Sequence, residues 1–223
     1  MEYTVLAPAK INLGLEILGK NNDGYHNVEM VMQTVSLYDK VTVSVTSNGG
    51  INVICDKNIN CESNRNIAYR CAEEFFEYTK IKNPGITIKI SKNIPMEAGL
   101  AGGSTDAAAV FRGMNEMFGL NLTVEELWEQ AVKLGADIPY CITGGTYLSE
   151  GIGEKLTKIC DSPKCYVLLA KPSIAVSTKW VYENLHANEL EHHPDIDGVR
   201  KAIEDNNLKN MCDKLENRML CLN

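Results

Sequence analysis

The run Pro95-Met96-Glu97-Ala98-Gly99-Leu100-Ala101-Gly102-Gly103-Ser104-Thr105-Asp106 joins a segment with strand-like alternation to one with helical spacing. Glycine lets a backbone adopt positive φ and approach a ligand closely, and a helix start offers free N–H groups and a partial positive charge. Together they make a phosphate cradle. Ser104 and Thr105 add hydroxyls that can cap the helix, bind a phosphate oxygen or help hold a metal ion. The competing reading is a flexible turn followed by an ordinary N-cap. No Lys precedes Ser104, so the run is not G-x-x-x-x-G-K-[ST], and it is not the G-x-G-x-x-G of a dinucleotide fold. Without a loop lysine, triphosphate charge has to be met by Mg²⁺, backbone dipoles and a basic residue from elsewhere.

Lys10 is the candidate for that residue. It lies in Ala7-Pro8-Ala9-Lys10-Ile11-Asn12-Leu13, whose small and apolar flanks favour a partly enclosed ammonium over a solvent-facing one. Two-residue spacing puts Asn12 on the same strand face. The matching acid is Asp137 in Leu134-Gly135-Ala136-Asp137-Ile138-Pro139. Its alternative role is the N-cap of the next helix. As a buried Lys–Asp pair, Lys10 and Asp137 could orient a hydroxyl and accept its proton during phosphoryl transfer.

The chain that must position these groups has 223 residues, 44% of them hydrophobic, which suffices for one large domain or two modest ones. Twenty-two Lys and Arg against 29 Asp and Glu leave a net charge of −7, which argues against a broad grip on DNA or RNA. The N-terminus lacks the basic start and apolar core of a secretory signal, and no apolar run approaches the ~20 residues of a membrane span. A cytoplasmic enzyme or binding protein, with no membrane partner, is expected. Eight cysteines are scattered without a C-x-x-C pair or zinc spacing, and are expected to be reduced core thiols, with no protein metal site.

Strict alternation at Val41 to Val45 and Ile86 to Ile90 predicts strands, and further strands are expected at Tyr3 to Leu6, Ile51 to Cys55, Gly145 to Leu148 and Cys165 to Leu169. Asn48-Gly49-Gly50 suggests that Val41 to Val45 and Ile51 to Cys55 form a hairpin. Helical spacing joins Ile67, Cys71, Phe75 and Tyr78, and a second stripe runs from Ser104 to Phe118. Thr123 and Glu126 match a capping box for a helix over 124–134. Strands first and helices later favour an α+β fold over a regular βαβ series.

These residues resemble the superfamily of galactokinase, homoserine kinase, mevalonate kinase and phosphomevalonate kinase. Its glycine-rich signature is similar to Pro95 to Asp106, and Ala7 to Leu13 and Leu134 to Pro139 resemble segments that supply a catalytic Lys and Asp. Asp23-Gly24-Tyr25-His26 resembles the base-recognition turn of the branch that phosphorylates a cytidine diphosphate substrate. Tyr25 offers a face for stacking and His26 a hydrogen bond to the base edge. The resemblance implies ATP and Mg²⁺, with Pro95, Met96, Glu97, Ala98, Gly99, Leu100, Ala101, Gly102, Gly103, Ser104 and Thr105 around ATP. It implies Lys10 and Asp137 as catalytic residues, and Asn12, Tyr25, His26, Thr178 and Tyr182 around the substrate. Another kinase of the family, or a nucleotide-binding protein without turnover, is the alternative.

The implied fold is two-lobed: an N-terminal lobe like ribosomal protein S5 over 1–155, and a C-terminal α+β lobe over 156–223. The family carries another glycine-rich segment near its C-terminus, and the sequence ends at Asn223 without it, so the second lobe is expected to be incomplete.

Overall fold

A computed structural model describes residues 1–21, 24–57, 63–171, 181 and 193–218. The chain forms two compact units interleaved in sequence: Met1–Ala9, Ser36–Met96 and Leu100–Thr143 make the first, and Lys10–Val35, Glu97–Gly99 and Gly144–Asn223 the second. Two long strands, β1 (Glu2–Lys20) and β2 (His26–Val45), contribute to both.

In the first unit the late half of β2 pairs antiparallel with β4 (Ile86–Ser91), matching Val41 to Ile90, Val43 to Ile88 and Val45 to Ile86. All of these except Val45 are buried, so the alternation in the sequence does mark a core face. β3 (Ile51–Cys55) pairs in parallel with β4, and α1 (Ile67–Thr79) makes the crossover between them. The expected hairpin of β2 with β3 is therefore wrong. β4 lies between them because its Ile86, Ile88 and Ile90 are all buried, whereas β3 carries no buried residue and suits an edge. The fold is α+β as expected, with this one βαβ unit inside it.

Above that sheet α1 meets α2 (Gly102–Phe118), where Phe75 lies 6.2 Å from Phe118 and 6.5 Å from Phe111, ring centre to ring centre. Gly113 lets α2 approach β1 and β2 closely, since a Cβ there would stand 3.3 Å from Val5 and 3.5 Å from Val43. α3 (Val124–Ala131) starts at the expected capping box: Thr123 accepts from the Glu126 N–H at 3.2 Å, and Glu126 accepts from the Thr123 N–H at 2.8 Å. It ends three residues short of Leu134, in a turn closed by the Gly135 N–H on the Ala131 carbonyl. α4 (Ile138–Thr143) follows.

In the second unit the early half of β2 pairs antiparallel with β5 (Thr146–Glu150), which pairs antiparallel with β6 (Lys155–Lys158). β1 pairs in parallel with β7 (Glu216–Asn217). α5 (Ile196–Glu204) and α6 (Leu208–Asp213) supply Ile196, Val199, Ala202, Ile203 and Met211 to a core shared with Leu13, Val31 and Leu148.

Cys165 to Leu169 is not a strand. Tyr166 and Leu168 are exposed, and the segment has no ladder partner among the described residues, without which apolar sequence alone does not make a strand. The cysteine expectation holds in part: Cys71 and Cys141 are buried, but Cys160, Cys165 and Cys212 are exposed. No helix among the described residues is long and apolar enough to cross a membrane.

Candidate active site

The glycine-rich run leaves β4 and enters α2 two residues earlier than the hydrophobic stripe suggested, because Gly102 and Gly103 already lie in the helix. Glu97, Gly99 and Ala101 take positive φ of 51°, 70° and 55°. Ala101 occupies the N-cap and has no side chain that can cap, so the N–H groups of the first turn keep no intrahelical partner. The 17-residue helix adds its partial positive charge at that point. These features fit a bound phosphate. The hydroxyls divide: Thr105 is buried and donates to the Pro8 carbonyl at 2.8 Å, which leaves Ser104 as the partly exposed one.

Beneath the loop lies a cluster that the sequence reading did not select. Lys92 is buried and its Nζ donates to Asp39 Oδ2, to Asp106 Oδ2 at 2.7 Å and to the Gly102 carbonyl at 3.3 Å. Asp39 Oδ1 accepts from the backbone N–H of Asn93 at 2.6 Å and of Ile94 at 2.8 Å. Two carboxylates share one ammonium in a space closed to water. Burial drives the Asp106 carboxyl up to about 7, against the pull of Lys92 and helped by Asp39, and its Oδ1 accepts no hydrogen bond from the described residues. Burial works against the Lys92 ammonium, yet Asp106 and Asp39 hold it above the ordinary lysine value. A signal for this cluster was in the sequence. Asp39 extends the buried parity of Val41 and Val43, and Lys92 extends that of Ile86, Ile88 and Ile90.

Lys10 is buried as expected and donates to Asn12 Oδ1 at 3.1 Å, so the two share one face of β1. Farther along that face Glu16, also buried, holds the Arg218 guanidinium and His193 Nδ1, the latter at 2.8 Å. No local pattern in the sequence joined these three. Asp137 belongs to the first unit, immediately before α4, and its carbonyl accepts the Cys141 N–H at 3.1 Å, the helix-start position that was its alternative reading.

Tyr25 and His26 follow a turn in which the Asn21 N–H donates to the Tyr25 carbonyl at 2.7 Å and the side-chain amides of Asn21 and Asn27 bond reciprocally at 3.0 and 2.8 Å. Tyr25 is 60% exposed. Burial, then the Lys20 charge, lowers the His26 pKa and favours the neutral imidazole. Thr178 and Tyr182 lie outside the described residues. Among the described residues no group of three His, Cys, Asp or Glu side chains gathers to hold a metal ion.

The sequence matches the family model of the GHMP kinases N terminal domain over residues 66–145. It is 50% identical over 214 residues to the 4-diphosphocytidyl-2-C-methyl-D-erythritol kinase of Acetivibrio thermocellus, covering 94% of this chain and 75% of that one. The kinase of the same name from Clostridium tetani is 47% identical over 221 residues, covering 96% and 75%. Among solved structures, a 4-(cytidine 5'-diphospho)-2C-methyl-D-erythritol kinase matches with a TM-score of 0.69 at 29% identity, over 92% of this chain and 72% of that one. The homoserine kinase of Cytophaga hutchinsonii matches with a TM-score of 0.67 at 16% identity, over 97% and 71%, a likeness of fold.

Proposed function

The chain belongs to the 4-diphosphocytidyl-2-C-methyl-D-erythritol kinase family of the GHMP kinases, and on that premise we propose that it transfers the γ-phosphoryl group of ATP to the 2-hydroxyl of 4-diphosphocytidyl-2-C-methyl-D-erythritol. The observation that carries the reading is identity of about half the residues to named kinases over nearly the whole chain. The uncapped start of α2 after a loop rich in positive φ supports it.

In this reading the N–H groups at the start of α2 and the backbone of 95–105 bind the triphosphate. Mg²⁺ would neutralise phosphate charge, as that ion ordinarily takes phosphate oxygens and one or two carboxylates rather than an all-protein cage. Asp137 accepts the proton of the attacking hydroxyl, Lys10 steadies the charge on that oxygen, and Asn12 orients Lys10 through the hydrogen bond between them. Tyr25 stacks on cytosine, and His26, held neutral, bonds its edge. Thr178 and Tyr182 complete the pocket by resemblance. The division into lobes over 1–155 and 156–223 belongs to the same proposal.

A coupled assay of ADP release tests the reading, with 4-diphosphocytidyl-2-C-methyl-D-erythritol as acceptor and galactose, homoserine and mevalonate as controls. Turnover confined to the cytidine compound is expected. Turnover with a control and none with the cytidine compound would overturn the assignment.

A further inference from the structure

We propose that Lys92 is a positioning residue for the nucleotide: together with Asp39 and Asp106 it fastens the two ends of the glycine-rich loop to each other, so that the start of α2 is held ready for phosphate. The inference rests on the reading of 95–105 as the ATP loop. Asp39 Oδ1 takes the N–H groups of Asn93 and Ile94, the last residues before the loop. Lys92 Nζ donates to the carbonyl of Gly102, the first residue of α2, and to the carboxylate of Asp106, one turn on. The Lys92–Asp39 ion pair joins these two sets of contacts. One buried cation thus closes a ring of hydrogen bonds around a loop of seven residues, 95–101.

Such a ring answers a need of this backbone. Glu97 and Ala101 are not glycine and still take left-handed φ, a conformation that costs ~1 kcal/mol or more per residue and persists only where the surroundings fix it. Gly102 suits the ring. A Cβ there would stand 3.2 Å from Lys92 Nζ and 3.2 Å from Ile94 Cγ2, so this glycine makes room for the lysine. A loop whose ends are released samples other conformations, and apparent affinity falls by the fraction of molecules that keep the competent one. The acceptor pocket and the chemical step use other residues.

The test is calorimetric binding of a non-hydrolysable ATP analogue, and separately of the cytidine substrate, to the 223-residue chain and its Lys92→Met, Lys92→Arg and Asp106→Asn variants. Lys92→Met is expected to weaken the analogue about tenfold, corresponding to a tenth of the molecules holding the competent loop. Asp106→Asn keeps the shape of the side chain and is expected to weaken it about threefold, since a neutral hydrogen bond keeps roughly half the strength of a charge-assisted one. Lys92→Arg, which restores a cation, should recover most of the affinity, and kcat at saturating ATP should stay near that of the unaltered enzyme. Asp106→Asn and Lys92→Arg carry the comparison if Lys92→Met does not fold. Analogue affinity within about twofold of the unaltered chain in the folded variants, or an equal loss for the cytidine substrate, would overturn the proposal alone. No analogue binding by the unaltered chain would overturn the ATP reading and the proposal with it.

Discussion

Asp39 and Lys92 face each other across β2 and β4, one step beyond the Lys40–Ser91 pair, on the side of the sheet that is otherwise Val41, Val43, Ile88 and Ile90. A charge placed on a core face is tolerated only when its partner stands opposite and the remaining lone pairs are satisfied. Asp39 meets both conditions, with Lys92 on one oxygen and two backbone N–H groups on the other. Asp39→Ala removes all three bonds at once and leaves a buried ammonium with only Asp106 and the Gly102 carbonyl to accept from it. The expected loss is ~3–5 kcal/mol, the usual result of breaking a buried pair, measured as a shift in urea unfolding. A loss below ~1 kcal/mol would mean that water reaches Lys92 in the folded protein.

The second carboxylate of the cluster gives a pH dependence. The charged groups that act on Asp106 are Lys92 and Asp39. Because burial raises the Asp106 pKa from 3.8 to about 7, the folded chain binds a proton there that the unfolded chain has already released. Stability from this group is therefore greatest at acid pH and falls as pH rises through the window from about 4 to about 7. Denaturation between pH 5 and pH 8 is expected to show this downward contribution, and Asp106→Asn to remove it. An unchanged slope in Asp106→Asn would assign the dependence to other groups.

Parity along the strands makes both Asp39 and Lys92 legible, but the alternation that marks a strand rests on its apolar members, and these two charges stand just outside that apolar pattern. The turn at Asn48 to Gly50 misled for a different reason. A turn reports that the chain reverses, not which strand fills the adjacent place in the sheet, and that place went to β4 through the α1 crossover. The helices were legible because their stripes are long and their caps are local: Asn66 caps α1 by accepting the Ala68 N–H, as Thr123 caps α3. At Gly102, expected to let the backbone approach phosphate, the missing side chain also makes room for Lys92. The grouping of Glu16 with His193 and Arg218 joins residues about 180 to 200 positions apart and had no local signal.

Asp137→Asn tests the proposed chemistry. The amide keeps the size of the side chain and the helix-start backbone of α4 but cannot take a proton from a hydroxyl. Turnover should fall by about 10²- to 10⁴-fold, the range for loss of a general base, with nucleotide affinity little changed. Lys10→Ala should also lower turnover, and the double variant should lose less than the product of the two, because groups that act as a unit are not additive. Activity of Asp137→Asn within about threefold of the unaltered chain would remove it from this role.

The turn after β1 tests which base is recognised. Tyr25 is largely exposed, and its carbonyl accepts the Asn21 N–H. Tyr25→Phe should then lose little, and Tyr25→Ala should cost ~1–3 kcal/mol in kcat/KM for the cytidine substrate, the range for removing a base-stacking aromatic. His26→Ala should narrow the preference for cytidine over uridine analogues, since an edge contact tells the bases apart and stacking does not. Burial and Lys20 lower the His26 pKa, so the neutral ring that makes this contact is present at neutral pH and above, and is lost as pH falls below the ordinary histidine value of 6.5. Competition by cytidine and uridine diphosphates, measured at pH 5.5 and pH 7.5, should therefore show the preference weaken on the acid side in the unaltered chain and not in His26→Ala. A preference that is the same at both pH values in the unaltered chain, and survives His26→Ala, would move base recognition to another residue.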